Sequence, residues 1–321
     1  MTMNDPIWTG VGDLDNDLRI LESQLASLRF NPTADFVEQP SPRTHRAWRW
    51  AALIVVGISA VATWCSLPDP VSWRLIPTTG ETRVNGVGAT TPARLYAGAA
   101  IQTGADGMSQ LDVGSIGTVL IDRNTQLRLE RGARQREHRL TMTSGRLLAQ
   151  ITAPPRMFVI ETPAATAVDL GCAYELEYRD GHGFLHVTAG WVQLVRTGRD
   201  VRVPAGARCE LTSSGPSVPY DPAAPIDWLN ALRTLLDDPR NDDVLATVLR
   251  TARPRDTLTV FHLLEVVPDA RRVDVVAAVR KHAEIPSDVD VAAILELDRT
   301  AMQSWWNDVR ATWTRFPTDQ P

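Results

Sequence analysis

The chain has 321 residues, a net charge of −5, 44% hydrophobic and 22% charged residues. That composition is globular, with room for more than one compact unit, and it excludes a disordered tail or a polytopic membrane protein. No basic excess exists to neutralise phosphates, which argues against a nucleic-acid partner. Three cysteines are too few for a disulfide-stapled miniprotein or a four-cysteine zinc site.

Residues 1–47 are too few for a core of their own. Within them Leu14, Leu18, Leu21, Leu25 and Leu28 recur at spacings of four and three, which predicts one apolar stripe on an amphipathic helix. Asp13 stands at the N-cap position, and Asn31-Pro32 ends the helix after Phe30. A helix this short is marginal in water until something covers its apolar face. Self-association and helix-in-groove docking onto another protein both satisfy that need. Asp13, Asp15 and Asp17 mimic the opening of a calcium loop. Leu18 and Gln24, however, stand where that loop needs glycine and a bidentate glutamate.

Residues 50–67 carry no charge over eighteen positions. As a helix they span about 27 Å, close to the thickness of a bilayer's hydrocarbon core. Trp48 and Trp50 flank one end and Trp64 the other, where indoles favour the headgroup region. We expect one transmembrane helix over 48–67. Arg43, Arg46 and Arg49 precede it and Arg74 alone follows closely, so the positive-inside bias puts the N-terminus in the cytoplasm and the larger part outside. A cleaved signal peptide is the competing reading, but it would have an unusually long charged leader.

Residues 68–92 are rich in Pro, Gly, Thr and Ser and read as a linker. Over 93–214, short alternating runs such as 118–121, 127–129, 157–160, 174–178, 184–187 and 192–195 are separated by glycine turns such as Asp180-Gly181. This predicts an all-β domain.

An ordered series of segments runs through this region. It begins with Gly98-Ala99-Ala100-Ile101-Gln102-Thr103-Gly104 and the Gly114-Ser115 turn, then Val119-Leu120-Ile121-Asp122 and Gly145-Arg146. It continues through Phe158-Val159-Ile160-Glu161-Thr162-Pro163, Val168-Asp169-Leu170-Gly171, Ala189-Gly190-Trp191-Val192 and Pro204-Ala205-Gly206. This series resembles the FecR-like family of membrane-anchored regulators. The resemblance implies short stacked strands, solenoid-like or sandwich-like; no motif in the chain recommends an enzymatic activity or a cofactor. It further implies a cytoplasmic arm that controls an extracytoplasmic-function sigma factor in response to a periplasmic or outer-membrane protein partner. Where that family has a Gly-Thr-x-Phe element, this chain has Gly171-Cys172-Ala173-Tyr174. Cys172 and Cys209 are the two cysteines beyond the expected membrane span. Outside the cytoplasm they can form a disulfide closing a loop of under forty residues, or remain two buried free thiols.

From residue 215 onward the apolar period changes to three and four. Trp228, Leu229, Leu232 and Leu235 form one stripe; Val260, Leu263 and Leu264 form another; Met302, Trp305, Trp306 and Val309 form the last. Prolines 239, 254, 268 and 286 punctuate them. Five or six short helices in a bundle or HEAT-like stack are expected. Adjacent Trp305 and Trp306 cannot both face one core, so one is exposed or lies at an interface; core packing against the β domain is the leading reading, an aromatic binding surface the alternative. Asp237, Asp238, Asp242 and Asp243 read as capping and solvated residues.

None of the six histidines forms HExxH or a Cys/His zinc signature. Gly114-Ser115-Ile116-Gly117 lacks the leading glycine of a nucleophile elbow, since position 113 is valine. Arg131, Arg134, Arg136 and Arg139 read as a solvated strand connection. The sequence thus predicts a mixed, anchored, non-enzymatic protein in the bacterial inner membrane: cytoplasmic arm, transmembrane helix, linker, β domain and helical domain. Its leading function is control of a sigma factor. An anchored periplasmic scaffold without such control is the alternative.

Overall fold

A computed structural model describes residues 72–315. The leucine stripe Leu14, Leu18, Leu21, Leu25, Leu28 and the apolar run 50–67 lie outside the described residues. No helix among the described residues is long and apolar enough to cross a membrane.

The strands follow in chain order as β1 (Trp73–Thr79), β2 (Thr82–Val84), β3 (Val87–Gly88), β4 (Ala93–Leu95), β5 (Ala100–Thr103), β6 (Met108–Val113), β7 (Gly117–Ile121), β8 (Gln126–Arg131) and β9 (His138–Ile151). The second half comprises β10 (Phe158–Glu161), β11 (Thr166–Asp169), β12 (Ala173–Arg179), β13 (His182–Ala189), β14 (Trp191–Arg196), β15 (Arg199–Pro204), β16 (Arg208–Thr212) and β17 (Gly215–Pro216). The expected linker over 68–92 is therefore corrected. From Trp73 it is part of the β domain, because Trp73 and Leu75 on β1 carry large apolar side chains that are almost wholly buried.

Side-chain alternation decides which way each strand faces. In β12, Tyr174, Leu176 and Tyr178 are buried while Ala173, Glu175 and Glu177 point outward, the period-2 pattern of a half-buried strand. Asp180 and Gly181 both take positive φ, 49° and 82°, so a tight two-residue turn returns β12 into β13 with Arg179 opposite His182. One sheet runs β4-β1-β6-β7-β9-β12-β13-β16-β17. The other runs β3-β2-β5-β8-β9-β10-β11-β14-β15. Every pairing is antiparallel except β9 with β10. Strand β9 belongs to both sheets: its first half pairs with β8 and β10, its second with β7 and β12. The inner faces share one hydrophobic core, which makes the arrangement sandwich-like.

Among the described residues six α-helices follow: α1 (Ile226–Asp237), α2 (Asp242–Thr251), α3 (Thr257–His262), α4 (Arg272–Val279), α5 (Val291–Leu295) and α6 (Arg299–Arg315). The Asn241 side chain caps α2 by accepting from the Val244 N–H at 3.1 Å, with Asp242 and Asp243 in the first turn, where carboxylates meet the positive end of the helix dipole. All six residues of α3 are buried, and α4 and α6 pack against it. That arrangement is a bundle around a central short helix rather than a repeat stack. The β and helical regions form one compact unit.

Trp305 and Trp306 are both buried, and both pack against Phe261. Trp305 is fully buried in the bundle, donating its indole N–H to the Ala283 carbonyl at 3.3 Å and meeting Phe261 edge-on. Trp306 meets Trp191 of β14 in a T-shaped contact at 5.9 Å. Further along α6, the Trp313 indole donates to the Ala205 carbonyl at 2.8 Å, and the Arg255 guanidinium lies over the Trp313 ring. Asp221 completes this junction by pairing with Arg253 at 3.0 Å and Arg255 at 3.2 Å.

Candidate functional site

Between the β14–β15 hairpin, the loop joining β10 to β11, and helices α3 and α6 lies an open trough of about 1100 Å³. The hairpin places Arg196 opposite Arg199 around a turn at Thr197-Gly198, with Gly198 at φ 80°. On β15, Asp200 and Arg202 alternate with the fully buried Val201 and Val203. The period-2 geometry therefore turns two charged side chains toward the helices while the valines hold the strand in the core. From the other wall come Phe261, His262, Glu265, Leu297, Arg299 and Trp306.

The polar groups here are unevenly satisfied. Arg196 donates to the Ala164 carbonyl at 2.9 Å, and Arg202 donates to Gln303 Oε1 at 2.8 Å with its guanidinium 5.4 Å from the Trp306 ring centre. Arg199 Nε is 3.9 Å from Glu265 Oε2, too long for a hydrogen bond. Its buried Nε and Nη2 have no hydrogen-bond partner among the described residues. His262 is 5% exposed, and its Nε2 likewise has none. Burial, helped by Arg199 and Arg202, lowers the His262 pKa to about 3, so the ring is neutral near pH 7. Burial also raises the Glu265 pKa, and Arg199 opposes that rise. The trough can therefore offer positive charge and an apolar floor to the same ligand.

The two cysteines expected as a disulfide pair are buried free thiols, and the pairing is corrected. Cys209 lies opposite Leu185 of β13, which in turn lies opposite Leu176 of β12; Cys172 is four residues before Leu176. Two strand spacings of ~4.8 Å and about 13 Å along the strand separate them, well beyond the ~7 Å Cα limit for a bridge. Cys172 instead donates to the buried Asp169 carboxylate at 2.7 Å. Burial and that carboxylate push the Cys172 thiol far above its usual pKa, and burial raises Cys209 to about 12. Both are consequently poor nucleophiles.

The remaining polar residues are plainly placed. His182 and His186 both lie on β13, opposite Arg179 and Glu175; the turn itself is Asp180-Gly181. Arg139 pairs with Glu137 and Glu161, and Arg131 ends β8. No group of His, Cys, Asp and Glu suited to a metal ion occurs among the described residues. The trough was not legible as a site in the sequence, because Arg199, His262 and Trp306 come from three distant segments. The adjacent pair Trp305-Trp306 was the signal pointing toward it.

Residues 99–193, from the start of β5 into β14, match the family model described as FecR protein, so the β region carries a FecR domain. Two crystal structures, at 1.65 and 2.50 Å, of a "putative anti-sigma factor" from Parabacteroides distasonis ATCC 8503 are similar to the chain. They are 14% and 12% identical, covering 41% and 43% of this chain and 63% and 71% of theirs, with a TM-score of 0.34 in each case. The chain thus spans less than two thirds of the first of them. No curated protein matches it.

Proposed function

We propose that the chain is a single-pass inner-membrane regulator, not an enzyme, that controls an extracytoplasmic-function sigma factor. The observation that carries this reading is the FecR match over residues 99–193. The apolar run 50–67 and its arginine asymmetry support a small cytoplasmic arm and a larger periplasmic body. The stripe Leu14, Leu18, Leu21, Leu25 and Leu28 is then the face that docks on the sigma factor. A contact made by the outer domain changes whether that stripe is available.

Replacing Leu18 and Leu25 with aspartate should abolish pull-down of the sigma factor by the full chain. The same change, or deletion of residues 1–40, should alter expression from a reporter dependent on that sigma factor. Unchanged binding and unchanged transcription would refute sigma-factor control. The anchored-scaffold reading would then stand in its place. Protease added to intact spheroplasts should digest the β and helical region; its survival would reverse the proposed polarity.

A further inference from the structure

We propose that the trough between β14–β15 and helices α3 and α6 is a docking site for an extended acidic peptide segment of a partner protein. Its carboxylates pair with Arg199 and Arg299, and its apolar side chains lie against Leu297 and Met302. The proposal concerns the ligand chemistry of the described unit and does not depend on what the N-terminal arm binds.

Charge is the first argument. Four arginines line the trough, Arg196, Arg199, Arg202 and Arg299, against two carboxylates, Asp200 and Glu265. This local positive excess sits in a chain whose net charge is −5, so it does not follow from overall composition. Arg196 and Arg202 are held in place by hydrogen bonds to Ala164 and Gln303. Arg299, exposed at the start of α6, makes no ion pair or hydrogen bond among the described residues.

Incomplete pairing of Arg199 is the second argument. Its Nε and Nη2 are closed to the trough, and Nε stands 3.9 Å from Glu265, too long for a hydrogen bond. The side chain as a whole is 29% exposed, and a carboxylate carries the charge that complements its open edge.

Shape is the third argument. The trough is open along one side, and at about 1100 Å³ it stands at the upper end of the size range of small-molecule pockets. Half-buried Leu297 and Met302 give it an apolar floor over the buried Phe261 and Trp306. A free small carboxylate would leave most of that floor uncovered. A chain segment alternating acidic and apolar residues would use both the floor and the rim.

The test uses the purified full-length chain in detergent micelles and fluorescence anisotropy. The probe is a fluorescein-labelled octapeptide alternating glutamate and leucine. It should bind, and raising the salt to 0.5 M should weaken it several-fold. Arg199→Gln should weaken binding at least tenfold. Arg299→Glu, a change at an exposed position, should weaken it several-fold while leaving the melting temperature unchanged. The second variant keeps the test decisive should Arg199→Gln fail to fold. The proposal is overturned if the glutamate peptide does not bind, or if a lysine–leucine octapeptide binds equally well. Native affinity in folded Arg299→Glu would also overturn it. Equal binding by N-acetylglutamate would assign the trough to a small carboxylate instead. Because no sigma factor is present, failure here leaves the transcription test untouched.

Discussion

At Gly145 the backbone takes φ +127°, in the middle of the longest strand. Residues before it pair with β8 and residues after it with β12, so the glycine sits where β9 passes from one sheet to the other. A Cβ there would meet Thr125 Cα at 2.5 Å, and an L side chain is strained at that φ whatever the space. Gly145→Ala should therefore destabilise the protein by about 2–4 kcal/mol, read as a lower denaturant midpoint. Two buried histidines contribute to the behaviour in acid. His138, edge-on to Trp73 at 4.8 Å, has its pKa lowered by burial to about 4, and His262 lies at about 3. Both values are below the unfolded value of 6.5, so the unfolded chain binds more protons. Their contribution to stability is complete above pH ~6.5 and falls toward pH 4 and 3, at up to ~1.4 kcal/mol per pH unit for each group. His138→Phe keeps a ring beside Trp73 and should reduce the loss of stability between pH 6.5 and 5. A slope identical to the parent's would show that His138 is not neutral in the fold.

Among the elements, α3 shows why periodicity alone misplaced a helix. Val260, Leu263 and Leu264 read as one stripe, yet α3 ends at His262 and Leu263 opens a single 3₁₀ turn. The whole helix is enclosed by its neighbours, so no polar face was available to mark its period. The connection into α3 carries its own staple. Asp256 is fully buried and accepts from the Arg253 backbone N–H at 2.8 Å and from its guanidinium at 2.9 and 2.7 Å. Arg253 also reaches Asp221, just beyond the last strand, so one guanidinium ties the start of the bundle to the end of the β domain. Asp256→Ala strands that arginine between fewer acceptors. Because Arg253 is about one-third exposed, the cost should be nearer 2–3 kcal/mol than the value for a fully buried pair. Urea denaturation measures it, and a midpoint within error of the parent would remove the staple's role.

At the scale of the whole molecule, the β and helical regions are one unit, joined through Trp191–Trp306, Arg202–Gln303 and Trp313–Ala205. The trough lies along this junction, lined by β14, β15, α3 and α6. Much of the fold was legible beforehand. Alternation in segments such as β12 and the Asp180-Gly181 turn depend on residues close in sequence, and so did the change to helical spacing after residue 215. The FecR resemblance was legible for the same reason, since its segments follow one another along the chain. Trp73 and Leu75 were missed as strand residues because the Pro, Gly, Thr and Ser around them outweighed two buried side chains.

Local chemistry in the sequence determined which segments become strands, which become helices, and where glycine must turn the chain. Tertiary structure alone decided that β9 joins two sheets and that Cys172 and Cys209 stand too far apart to bond. It also decided that Arg199, His262 and Trp306 share one trough. Those outcomes depend on register and packing between residues far apart in the chain, and local spacing carries no information about which distant strand or helix a side chain will meet.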